Sequence, residues 1–247
     1  MQISFPNPPI AEAVLDIRVN LPKDVNLDIL ASFQEQIKDQ FPIKKDQYSW
    51  QGGLQIKAGS APEVMTSSGG MNGFLFHSSD NKKIVQARLD GFAFNKLKPY
   101  SNWDVFSREA KYYWEAYRTL AKPTNVIRVA LRYINRIEIP MPFKDFKEYI
   151  LTVPDLAPGL PQELSGFFTQ LVVPKPEIQA TALILETMDK IDEGRKVLPF
   201  IFDIDVSCNN LFEPSSTEIW DKFEQLRGFK NQIFVNSVTA KAKELFQ

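Results

Sequence analysis

Residues 10–19 read IAEAVLDIRV. Ala11, Ala13, Leu15, Ile17 and Val19 fall on one side of an extended chain and Glu12, Asp16 and Arg18 on the other, the two-residue period of a half-buried strand. A strand with one dry and one wet face fits an antiparallel sheet better than a parallel one, whose strands are covered on both faces. Before it lies a Pro-rich entry, Phe5-Pro6-Asn7-Pro8-Pro9. After it, from Asn26 as N-cap, Ile29, Leu30, Phe33, Ile37 and Phe41 recur at the spacing of one helical face, and Pro42 ends the run.

Residues 47–94 carry no helical period. Gly52-Gly53, Gly69-Gly70, Gly73, Asp80-Asn81 and Gly91 punctuate them, which predicts an antiparallel meander of three to five strands. Ser101-x-x-Asp104 then offers a capping-box-like start to a helix with Trp103, Phe106, Ala110, Tyr113, Tyr117 and Leu120 on one stripe, stopped before Pro123. Trp114 lies off that stripe and reads as a surface anchor for a partner.

From there the pattern restarts. A strand is expected over 127–139, a short helix over 143–150 and a Pro-rich loop over 151–163. Strands follow at about 164–173, 178–188 and 197–207, and a long helix opens at Ser215-x-x-Glu218 with Ile219, Phe223, Leu226 and Ile233 along one side. A shift of 117 residues lays Trp103-Asp104-x-Phe106 on Trp220-Asp221-x-Phe223, and Val85, Ala87 and Leu89 on Phe202, Ile204 and Val206. A shift of 116 lays Leu15 on Leu131. One reading is a weak internal duplication, with halves 1–123 and 124–247 packed as one domain; the other is that any two alternating strands slide into agreement. The expected fold class is α+β, a mostly antiparallel sheet with long amphipathic helices on one face and a strand-helix-strands-helix unit used twice.

Composition narrows the function. The 247 residues hold 29 Lys and Arg against 30 Asp and Glu, a net charge of −1, which argues against polyanion binding by bulk charge. With one Cys, Cys208, no disulfide can form within the chain, and one Cys with one His cannot assemble a structural zinc site. The start, MQISFPNPPIAEAVLDI, has neither a basic n-region nor a continuous apolar run, so a cytoplasmic protein with no membrane association is expected.

Three segments carry a resemblance: Asn7-Pro8-Pro9-Ile10-x-Glu12, Pro99-Tyr100-x-x-Trp103-x-x-Phe106, and Arg128-x-x-x-Arg132-Tyr133-Ile134-Asn135-Arg136. In this order they resemble the signature segments of a sporadically distributed family of uncharacterised prokaryotic proteins of about this length, along essentially the whole chain. The resemblance carries over no catalytic residues, activity or cofactor to positions of this chain. The family's patchy occurrence implies mobile or defence-related genes.

Chemistry-bearing residues are few. His77 is the only histidine available to a nucleophile, no Gly-x-Ser-x-Gly elbow exists, and Cys208 has no basic neighbour in sequence. Gly69-Gly70-Met71-Asn72-Gly73 lacks the Lys-Ser/Thr of a phosphate loop and reads as a hairpin. Asp80-Asn81-Lys82 and Asp145-Phe146-Lys147 read as a turn and a helix-surface charge. Asp203 and Asp205 share a strand face about 7 Å apart. They read either as salt-bridged partners of arginines or, with Asp16 or Glu12 as a third oxygen ligand, as a divalent-cation site. Arg128, Arg132 and Arg136 share parity on one strand. Joined by Arg18 and Arg88 they form either an anion or nucleic-acid groove or an ion-pair ladder with Glu12, Asp16, Asp203 and Asp205. Parity leaves the direction of Tyr133 and Asn135 open.

The expected function is therefore a non-enzymatic binding or interaction protein using the open sheet face, an accessory or immunity component of a prokaryotic defence or toxin system, with no cofactor. Its expected partner is a protein, a second copy of the chain included. The alternatives are a nucleic-acid or small-anion binding protein and, third, a metal-dependent hydrolase.

Overall fold

The computed structural model describes residues 5–55, 63–162, 164–192 and 194–247. Residues 56–62 of the expected meander and residue 163 of the expected loop lie outside these. Strand β1 (Ile10–Asn20) occupies the middle of one sheet. It pairs antiparallel with β5 (Gly91–Leu97) on one side and with β6 (Asn125–Pro140) on the other. Beyond β5 lie β4 (Lys83–Arg88), β3 (Glu63–His77) and β2 (Ile43–Gln55). Beyond β6 lie β9 (Val197–Cys208), β8 (Ala180–Met188) and β7 (Phe168–Lys175). The order is β2-β3-β4-β5-β1-β6-β9-β8-β7, and every pairing is antiparallel.

The expected fold class is corrected here. Strand outweighs helix, 40% against 27%, in a single nine-stranded sheet, and most of the helices are a turn or so long rather than a layer of long amphipathic ones. The segment from Asn26 to Phe41 gives only α1 (Leu27–Ser32) and α2 (Gln34–Ile37), and the aromatic run near Phe143 gives one 3-10 turn, Phe146–Glu148. The physical reason is that a 3.6-residue apolar period reports which side chains are buried, not how long the helix runs. Leu30, Phe33, Ile37 and Phe41 all reach the core across the break at Phe33, and short helices draw their stability from such packing rather than from propensity.

Two helices are longer, α3 (Trp103–Ala121) and α4 (Glu218–Ser237), and a short α5 (Ala240–Glu244) follows. Asn102 caps α3 by accepting from the Val105 amide at 2.9 Å, so the cap is one residue beyond the expected Ser101. At α4 the expected Ser215 box is replaced by the Ser216 hydroxyl, which accepts from Glu218 N at 3.1 Å. Phe94 stacks on Phe106, Phe92 meets Trp114 edge-on and Phe202 stacks on Phe234, so the core lies between these helices and one side of the sheet. Ala13, Leu15, Ile17, Phe92, Phe94, Leu131, Ile204 and Val206 supply the sheet side of it. Gly91 turns β4 into β5 at a φ of +149°; a Cβ there would stand 2.1 Å from the Ile17 carbonyl oxygen of β1, so the residue is Gly for both reasons.

In the register, Leu15 pairs with Leu131 across β1 and β6. Beside β6, β9 takes the place that β5, not β4, takes beside β1, so the 117-residue overlay of Val85–Leu89 on Phe202–Val206 joins strands that are not topological counterparts. No helix among the described residues is long and apolar enough to cross a membrane.

Candidate functional site

On the side of the sheet away from α3 and α4, the even-numbered side chains of β1 and β6 project together. Asp16 is buried at their centre. It accepts from Arg88, from Arg18 Nε at 3.1 Å and from Arg128 Nη1 at 3.2 Å. Burial alone would push the Asp16 carboxyl up; the charges of Arg88, Arg18 and Arg128 outweigh it and hold the group below the usual carboxylate range. Arg18 and Arg88 also reach Asp90. Arg132 grips Asp203 with Nε at 2.9 Å and Nη2 at 2.5 Å, a two-pronged pair, while Asp205 faces Arg128 at 3.5 Å. Arg136 pairs with Asp189 at 2.5 Å. Burial pushes the Asp205 carboxyl up despite Arg128 and Arg132, and its Oδ1 is buried without a partner among the described residues.

Of the two readings of the arginine row, the geometry is that of the ladder. Arg18, Arg88, Arg128, Arg132 and Arg136 each have a carboxylate, and a concavity of about 520 Å³ opens above the first four, walled also by Glu12 and Asn95. Asn95 donates to Glu12 at 2.6 Å. Both Asp203 oxygens accept from Arg132, and among the described residues no cluster of three His, Cys, Asp or Glu side chains is placed to hold a metal ion. Trp114 is corrected outright. It is 0% exposed, packed between Phe92 and Tyr117, and offers nothing to a partner. Trp114 follows Ala110 by four residues and precedes Tyr117 by three, so at about 100° per residue it belongs to the buried stripe itself.

A second site lies on the helix side, and it gathers the three resemblance segments. The Pro8-Pro9 entry is tied to β6 by the Arg136 amide, which donates to the Pro9 carbonyl at 2.8 Å, and Asn7 N donates to the Phe246 carbonyl at 2.9 Å. Tyr100 to Asp104 form the approach to α3. Tyr133 and Asn135, whose direction parity left open, point to this side. Together with Arg227, Lys230, Asn231 and Phe234 of α4 they enclose a pocket of about 120 Å³. The Tyr100 and Tyr133 hydroxyls are hydrogen-bonded at 2.8 Å. Burial pushes Tyr100 up to about 12 and Tyr133 well above its usual value, so both phenols stay protonated. Asn135 is held by donating to the Phe202 carbonyl at 2.9 Å.

Lys230 is the residue that sequence reasoning missed. Its Nζ sits 3.8 Å from the centre of the Tyr133 ring, and the side chain has neither a hydrogen bond nor an ion pair among the described residues. Burial, then the like charge of Arg227, push its amine down to about 7, against which the Tyr133 face favours the charged form. The one available signal was its place in the helix repeat. Lys230 lies four residues beyond Leu226 and four before Phe234, on the buried stripe, where a lysine is out of place. Elsewhere, His77 ends β3 with its Nε2 buried and unpartnered among the described residues, and burial followed by the Lys45 charge lowers its pKa; Cys208 is buried in β9. Compared with protein-family models and with curated proteins, the chain matches none.

Proposed function

We propose that this chain is a non-enzymatic binding protein whose site is the pocket between the Pro8-Pro9 entry, the start of α3, β6 and α4. The observation that carries the reading is the convergence of Tyr100, Trp103, Tyr133 and Asn135 with an unpartnered buried Lys230 around one concave space. Pockets that combine aromatic walls with a few polar groups are the usual form of a small-ligand site. We assign the role to a prokaryotic defence or toxin system on the resemblance of the three segments alone, and to the cytoplasm on the single Cys208, which fits a reducing compartment.

The test uses the chain purified gently from its native host and examined by native mass spectrometry beside Ser101→Trp, whose added ring fills the pocket mouth from an exposed position. The expected result is a bound species on the natural chain that is lost from the folded variant. The same species on both, or none on either, overturns the reading.

A second reading places anion or nucleic-acid binding on the arginine face, favoured by the 520 Å³ concavity and by Arg132, whose side chain is 44% exposed. It requires oligonucleotide affinity that falls steeply with salt. Affinity that is absent, or indifferent to salt, removes it.

A further inference from the structure

We propose that the pocket takes a small molecule with a flat or short apolar body and an anionic head group, a carboxylate or a phosphate, that pairs with Lys230. This rests on the pocket being the binding site and adds the charge and size of what it binds.

Lys230 is 9% exposed and has no counter-ion among the described residues. A cation so buried is ordinarily paired, because desolvation costs it several kcal/mol. The other charged and titratable groups around it do not fill that role. Arg227 repels it, and Glu224 is engaged by Trp103 Nε1 and by Arg227 at 3.0 Å. Asp104 lines the pocket from the first turn of α3 but makes no ion pair with Lys230. Tyr100 and Tyr133 remain neutral. An incoming anion is the missing partner.

Two further features favour an anion. One Tyr hydroxyl donates to the other at 2.8 Å, which leaves the acceptor's own O–H free to donate. The N-terminus of the 19-residue α3 also opens here, adding its partial positive charge. Phe5, Pro8, Ile10, Trp103 and Phe234 wall the rest. The volume of about 120 Å³ is below the roughly 150 Å³ of a cavity that accepts benzene, so the pocket itself encloses the head group at Lys230 and a few carbons, and a ring extends into the mouth beside the exposed Ser101.

Titration calorimetry on the full chain with benzoate, phenyl phosphate and the neutral isostere benzamide tests this, using the natural protein and Lys230→Met. Methionine keeps the length and removes the charge, and a thermal melt confirms that the variant folds. The better of the two anions should bind at least about tenfold tighter than benzamide, about 1.4 kcal/mol, and Lys230→Met should abolish the difference. Which anion is preferred identifies the head group. Binding protonates Lys230, so benzoate affinity should fall several-fold from about pH 6.5 to about pH 8.5. Equal binding of benzamide and both anions, or a preference that survives Lys230→Met, overturns the anion while leaving the pocket. Binding of none of the three overturns both.

Discussion

Asp16 receives three guanidiniums in a buried place, and the consequence is cooperative. Breaking a buried pair costs more than the pair contributes, since it leaves charges without compensation. Asp16→Asn should therefore cost about 3 kcal/mol and lower Tm by roughly 6 to 12 °C, with Arg88, 5% exposed, as the residue most harmed. Denaturant unfolding measures it. A loss under about 1 kcal/mol would mean that the arginines lean on Asp90 and Asp205 instead. The residue types of this ladder were legible in the sequence, because alternation alone puts Asp16, Arg18, Arg128 and Arg132 on the wet face. Whether they were a groove or a ladder was not, since that depends on which strands lie next to each other. Arg132 meets Asp203 because β6 neighbours β9, 71 residues away in the chain.

At the scale of elements, β7 is the exposed margin of the sheet. Phe168, Leu171, Val172 and Val173 stand in solvent there, and among the described residues β7 pairs only with β8. An unpaired edge of this kind invites a second copy of the chain; Pro174, which lacks an N–H, and Lys175 blunt its end. Val172→Lys should change stability by no more than about 0.5 kcal/mol while reducing self-association at high concentration. Light scattering that is unchanged by the substitution would clear the edge of that role. Element lengths were the part of the secondary structure least open to sequence reading. The expected meander yields β2 to β5 with Asp80-Asn81 and Gly91 at strand junctions, but Gly52-Gly53 and the expected hairpin Gly69-Gly70-Met71-Asn72-Gly73 lie inside β2 and β3, and the helical period near Phe33 and Phe143 did not reveal that those helices stop after a turn or so.

Across the whole molecule, buried titratable groups give a pH profile that surface charge would not. Lys230 in the folded chain has its pKa lowered to about 7 from 10.5, so between these values the unfolded chain binds the additional proton and stability rises with pH. The slope reaches about 1.4 kcal/mol per pH unit, and Lys230→Met should flatten it and stabilise the chain near pH 7. Glu186 acts in the opposite sense. It is fully buried, its Oε2 has no partner among the described residues, and burial outweighs the hydrogen bond from Thr152 to raise its pKa above 4.5. Its folded form keeps a proton that the unfolded chain releases, so it withdraws stability as pH rises above 4.5 toward the folded value. Urea unfolding from about pH 5 to pH 10 should show the Lys230 rise, and a flat profile above pH 7 would mean that Lys230 stays charged on the Tyr133 ring.

Local periodicity in the sequence by itself determined the wet and dry faces of β1 and β6, the meander between α2 and α3, and the stripes of α3 and α4, because each is a property of residues close together in the chain. Tertiary structure alone decided what those faces meet. It closed nine strands into one sheet, gave each arginine of the row its carboxylate, and brought the entry prolines, Tyr100, Tyr133 and Lys230 around one pocket from four distant stretches. The reason is physical. Desolvation and charge pairing depend on distances through space, and no spacing along the chain specifies them until the strand order is set.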